Sequence, residues 1–233
     1  MPIFIDSADC EEARLANSLG WVAGVTTNPA LLAAAHESPE IVLAKLAALP
    51  MRPVFYQLRQ LTMESLLLEA KMVEDIVGAG LVLKIPPTPL GYRFIAGHHS
   101  VYSTCVTAVF SSAQAAVAAA AGAAYIAIYV HRATRLLGDG LALVRSAAEV
   151  LAGTKTEILA ASLKSPEEAS SALRMGAHHI TAPLEILTAM MGHGLSTQAV
   201  EQFDEEGAGI SLPALNPEDL KQELDAGAGR EME

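Results

Sequence analysis

The chain has 233 residues, 52% of them hydrophobic and 18% charged, with a formal net charge of -11. That length suits one large domain or two small ones. The acidic balance excludes a nucleic-acid partner, because no basic stripe is present to neutralise phosphates.

The elements alternate from the first residues onward. An apolar run at 3–5 closes on Asp6, and a helical stretch follows at 11–19. A run at 22–25 leads into Thr26, Thr27 and Asn28. The next helix spans 39–49, with Ser38 as N-cap and Pro39 at the first helical position. A run at 54–58 precedes a helix at 62–77 with Glu64, Glu69 and Glu74 on its polar face. Further runs at 81–85 and 101–107 are followed by an Ala-rich helix at 110–121 that stops at Gly122. The run 125–130 precedes a helix at 141–151, and the run 157–161 precedes one at 165–175. That last helix opens Ser-Pro-Glu-Glu and stops at Gly176, giving both start and stop signals. A final run at 178–182 leads into helices at 184–191 and 197–204.

Eight continuous apolar runs, each buried on both faces, predict parallel strands alternating with helices. A single-domain α/β fold is expected, a (β/α)8 TIM barrel over residues 1–210, with a C-terminal helix. Residues 211–233 read as an acidic, flexible tail. A doubly wound open sheet uses the same alternation, but the glycine-rich phosphate fingerprint that marks it is absent. Two cysteines, Cys10 and Cys105, make no disulfide framework. Asp6, Asp9, Glu11 and Glu12 break any signal-like run, and the Ala-rich stretch at 113–124 is too short to span a bilayer. No membrane association and a cytoplasmic location are expected. The high apolar share fits a large core plus a buried subunit interface.

In a barrel the chemistry sits at the C-terminal strand ends. The polar residues that close the runs are Asp6, Thr26 to Asn28, Gln57, Lys84, Thr107, Tyr129 with Arg132, Ser162 with Lys164, and Thr181. Lys84 stands in an apolar strand, Leu81-Val82-Leu83-Lys84-Ile85. It is either a strand-end lysine that snorkels or pairs with an acid such as Asp6, or a desolvated amine able to attack a carbonyl.

Gly24-Val25-Thr26-Thr27-Asn28-Pro29, Leu83-Lys84-Ile85-Pro86, Thr107 with Val109-Phe110-Ser111 and Gln114, Ile5-Asp6-Ser7, and Ala161-Ser162-Leu163-Lys164-Ser165-Pro166 together resemble the small transaldolases and fructose-6-phosphate aldolases. The resemblance runs from about residue 3 to about residue 205. It implies a class I, Schiff-base mechanism in which Lys84 adds to a ketose carbonyl and the iminium serves as electron sink, with no metal and no organic cofactor. It implies that Asp6, Thr26 and Asn28 hold substrate hydroxyls, that Asp6 assists proton transfer, and that Thr107 helps hold a water. It further implies a ring-shaped homo-oligomer, pentamer or decamer, with the C-terminal helix packed on a neighbour.

Two positions bear on reaction type. By resemblance, transaldolases carry Glu at strand three and Phe at strand six, where this chain has Gln57 and Tyr129. Those two favour an aldolase of fructose 6-phosphate, since a tyrosine hydroxyl can activate water for enamine protonation and imine release. A transaldolase moving a dihydroxyacetone unit between sugar phosphates is the alternative. A barrel that binds without turnover is a third reading, separated from both by covalent trapping on Lys84. Arg132, Ser162 and Lys164 are the candidates for the phosphate end. Departures from the family pattern are Gly138-Asp139-Gly140, where the acid would repel a phosphate unless turned away, His131 for the usual Asn or Gly, Pro87, and the stretch 90–105. Trp21 is expected to be buried, and the adjacent pairs His98-His99 and His178-His179 are expected to be ordinary rather than metal ligands.

Overall fold

The computed structural model describes residues 1–210, so the acidic tail at 211–233 lies outside it. Eight parallel strands close into a barrel in chain order: β1 (Ile3–Asp6), β2 (Val22–Thr26), β3 (Val54–Gln57), β4 (Leu81–Ile85), β5 (Ser103–Val109), β6 (Tyr125–Tyr129), β7 (Glu157–Ala161) and β8 (His179–Ala182). The pairing of Ile3 with Ile180 and Phe4 with Thr181 joins the two ends of the sheet, which rules out the open alternative. The intervening helices are α1 (Cys10–Ser18), α2 (Pro29–Ala34), α3 (Pro39–Ala47), α4 (Met63–Val77), α5 (Pro89–His98), α6 (Ser112–Ala120), α7 (Val130–Leu137), α8 (Gly140–Leu151), α9 (Pro166–Arg174) and α10 (Leu184–Ala189). The barrel closes within one compact unit, Met1–Met191. A second unit begins at Gly192 and carries α11 (Gly194–Glu206), none of whose residues is buried.

Period-two alternation builds the barrel interior. Asp6, Gln57, Lys84, Thr107, Tyr129 and Ala161 stand at the C-terminal ends of six strands. Two residues earlier on the same strands come Phe4, Phe55, Val82, Cys105, Ala127 and Leu159, which form one buried cluster. A dry apolar plug therefore lies directly beneath a polar mouth. The opposite strand faces, with residues such as Val25, Leu83, Val106, Ile128 and Ile180, pack against the helices. Gly24 in β2 is required by close approach, since a Cβ there would overlap the Pro53 backbone.

Three helices are absent from the sequence expectation. α5 contains Gly91 and Gly97 among aromatic residues, which weakens its helical signal, but Thr88 caps it and Pro89 starts it. α2 is only six residues long, and α7 leaves β6 directly with no side-chain cap. Ser38 does precede α3, but its hydroxyl makes no cap bond. Trp21 is 37% exposed, not buried, because it lies in the loop ahead of β2. His98 belongs to α5 with His99 as its C-cap, and both rings bond backbone carbonyls, so strand alternation does not apply to that pair.

Candidate active site

A cavity of about 390 Å³ opens at the C-terminal mouth of the barrel, within the size range of small-molecule sites. Of the residues given a role from the sequence, Asp6, Asn28, Gln57, Lys84, Tyr129, Arg132, Ser162 and Lys164 line it, and Thr181 lines it with them. Its floor is Ala127 and Leu159. Thr26 and Thr107 do not line it but hold residues that do.

Lys84 is 5% exposed, in register between Gln57 on β3 and Cys105 on β5. Its Nζ donates to the backbone carbonyl of Thr27 at 2.6 Å. Among the described residues no carboxylate lies within 4.0 Å of it, so the simple Lys84–Asp6 ion pair does not form. The reason is that Asp6 has another partner. Thr26 Oγ1 donates to Asp6 Oδ1 at 2.7 Å and lies 2.7 Å from Thr181 Oγ1. With its single proton spent on Asp6, Thr26 must accept from Thr181. That relay fixes the carboxylate of Asp6, which lines the cavity. The strand-end position of Thr181 does not by itself reveal this partnership, which depends on β8 closing onto β1.

Asn28 is the N-cap of α2, its Oδ1 accepting from Ala30 N–H at 3.0 Å and Leu31 N–H at 3.1 Å. The amide nitrogen is therefore the part it can offer to a ligand. Opposite, Tyr129 Oη sits 2.9 Å from the buried Thr107 Oγ1. Thr107 reaches it because β5 carries an irregularity between Val106 and Val109, with Ala108 at φ 57°. Such bulges beside a site re-aim a side chain. The Arg132 guanidinium lies 4.9 Å from the Tyr129 ring centroid, held over its face. No carboxylate among the described residues pairs with Arg132 or Lys164. Among the described residues Lys84, Arg132 and Lys164 face one lining carboxylate, Asp6, so the cavity favours an anion. Asp139 does not disturb this. It caps α8, accepting from Ala142 N–H at 2.9 Å, and Gly140 packs where a Cβ would overlap the Val130 carbonyl.

Beneath the lysine, burial pushes the Cys105 thiol up to about 12, with Lys84 opposing. It is an inert neighbour, not a second nucleophile.

Fold and cavity define a (β/α)8 barrel whose mouth presents one buried lysine amine to an anion-favouring pocket. The chain belongs to the transaldolase/fructose-6-phosphate aldolase family, whose model, Transaldolase/Fructose-6-phosphate aldolase, matches residues 3–226. A probable transaldolase of Alkaliphilus metalliredigens (strain QYMF) is 34% identical over 215 residues, covering 90% of this chain and 99% of the relative. One from Geobacillus kaustophilus (strain HTA426) is 34% identical over 206 residues, covering 87% and 96%. Among solved structures, mandelate oxidase with (S)-2-phenylpropionate superposes with a TM-score of 0.60 at 17% identity, covering 88% of this chain and 72% of that one. That likeness is one of fold alone.

Proposed function

We propose that the protein is a class I aldolase that cleaves or forms the C3–C4 bond of fructose 6-phosphate or a similar ketose through a Schiff base on Lys84. The observation that carries this is the buried amine with no carboxylate partner among the described residues, at a mouth that also holds Asp6 and the Thr107–Tyr129 pair.

Lys84 Nζ adds to the C2 carbonyl, and loss of water gives the iminium. Asp6 takes the proton of the C4 hydroxyl as the C3–C4 electron pair moves into the iminium. Glyceraldehyde 3-phosphate leaves and an enamine remains. A water near Tyr129 and Thr107 delivers the proton that converts the enamine back to an iminium, and hydrolysis frees dihydroxyacetone and the amine. Gln57 and Asn28 hold hydroxyls near the cleaved bond. Arg132, Ser162 and Lys164 receive the phosphate, a planar fork with a hydroxyl and a point charge.

A second reading, transfer of the dihydroxyacetone unit to another sugar phosphate, is favoured by the relatives' descriptions as probable transaldolases. The two differ in what releases the enamine. Fructose 6-phosphate is supplied alone, then with erythrose 4-phosphate. Glyceraldehyde 3-phosphate released without the acceptor supports the aldolase; release only with it establishes the transaldolase and overturns the use of Gln57 and Tyr129 as marks of an aldolase. A homo-oligomer belongs to the same reading, because α11 exposes Leu195, Val200 and Phe203; a cytoplasmic location goes with the proposed sugar-phosphate substrate. Sedimentation of the full chain tests the assembly.

A further inference from the structure

We infer that Glu168 and His131 form a positioning pair that locks the two halves of the phosphate end together and so sets the preference for phosphorylated over unphosphorylated sugars. This rests on the phosphate role proposed for Arg132, Ser162 and Lys164. Those residues come from separate elements: Arg132 from the first turn of α7, Ser162 and Lys164 from the loop between β7 and α9.

Glu168 has the sequence position of a capping-box acid, three residues after the N-cap Ser165. In that motif its carboxylate would accept from the N-cap's own N–H. It does something else. One oxygen accepts from the backbone N–H of Lys164 at 2.7 Å. The other lies 3.3 Å from His131 Nδ1 on α7. The Glu168 side chain is 17% exposed and its contact with His131 is half-buried, while the His131 ring keeps one side open at 41% exposure. The capping duty falls to Ser165, whose hydroxyl accepts from Glu168 N–H at 3.1 Å. A second tie runs between the backbones, His131 N–H donating to the Ser162 carbonyl at 3.3 Å. The loop needs such ties. Ser162 is held at φ 59°, a left-handed conformation that a residue with a side chain adopts only when its surroundings impose it. Leu163, fully buried, anchors the loop from below. Neither Glu168 nor His131 lines the cavity. Both act through residues that do, and a small misplacement of a binding group is enough to lose much of its effect.

The test compares KM for fructose 6-phosphate and for fructose in the full chain and in three variants, together with borohydride trapping of each sugar on Lys84. Glu168→Ala is expected to raise KM for fructose 6-phosphate about tenfold, the scale of losing a hydrogen bond to a charged group, while KM for fructose moves less than about twofold. Glu168→Gln can still accept from Lys164 N–H and donate to a neutral His131 ring, so it restores most of the preference. His131→Ala leaves the cap of α9 intact and decides the matter should Glu168→Ala not fold; it is expected to lower the phosphate preference severalfold. Equal shifts for both sugars, or an unchanged preference in His131→Ala and Glu168→Ala, overturn the inference while the Schiff-base reading stands. Failure of the unmodified protein to trap either sugar removes that reading, and the inference falls with it.

Discussion

Replacing Tyr129 by Phe removes one oxygen and leaves the ring that supports Arg132 in place. The oxygen lost is 2.9 Å from Thr107 Oγ1, and Thr107 is 1% exposed. A buried hydroxyl without a partner costs about 1–3 kcal/mol, and the low end applies because Tyr129 itself is half-buried and cavity water can reach the gap. The melting temperature should therefore fall by roughly 2–4 °C, the shift that about 1 kcal/mol produces in a chain of this size. The kinetic effect should be larger and selective. Loss of a positioned proton-transfer group costs about 10²–10⁴-fold in the step it serves. That step is protonation of the enamine and imine release, so glyceraldehyde 3-phosphate production from fructose 6-phosphate alone should collapse after one equivalent. With erythrose 4-phosphate present, the enamine leaves by attack on the acceptor and turnover should persist. A coupled dehydrogenase assay with and without acceptor reads both, and borohydride trapping reads the accumulated adduct. If Tyr129→Phe lowers both rates by the same factor, the hydroxyl is not the hydrolytic group and the aldolase reading loses its mechanism.

Lys84→Ala should abolish turnover and borohydride trapping while leaving the far-UV circular dichroism intact, because the plug formed by Phe4, Phe55 and Leu159 does not depend on the amine; measurable turnover in that variant would refute the Schiff base. Thr26→Val keeps shape but strands Asp6 Oδ1 and Thr181 Oγ1, so kcat should drop about tenfold to a hundredfold and stability by about 1–3 kcal/mol, checked by steady-state kinetics and a urea melt. Cys105 should resist a thiol reagent at pH 8 in the native protein and react only in guanidinium, whereas the partly exposed Cys10 reacts in both. The same burial has a pH signature. The folded thiol keeps its proton to about 12 while the unfolded one loses it near the ordinary 9.0, so the contribution is fully present below pH 9 and lost as pH rises across that window. An alkaline urea series comparing Cys105→Ala with the parent checks it: the parent should lose stability more steeply.

The alternation of apolar runs and helices was open to reading from residue 3 onward, because continuous burial on both strand faces leaves a local signature that needs no knowledge of neighbours. So was the set of polar residues closing those runs, with Lys84 conspicuous among leucine, valine and isoleucine. Helices with weak local signals were not: α5 dilutes its pattern with Gly91 and Gly97, and α7 begins without a cap. Partners were not open to reading either. The chain alone left Asp6 as a candidate counter-ion for Lys84, and only closure of β8 onto β1 brings Thr181 behind Thr26 and turns Asp6 to that relay instead. Asp139 reads locally as hostile to a phosphate, but its side chain caps α8. Glu168 reads locally as a helix-start acid, but it reaches His131, 37 residues away in the chain. Sequence by itself determined which strand ends carry polar residues such as Asp6, Gln57, Lys84 and Tyr129 at the barrel mouth, because side-chain direction along a regular strand is a local, period-two property. Only the tertiary structure decided which of them touch, because that depends on strand register and barrel closure, which pair residues far apart in the chain.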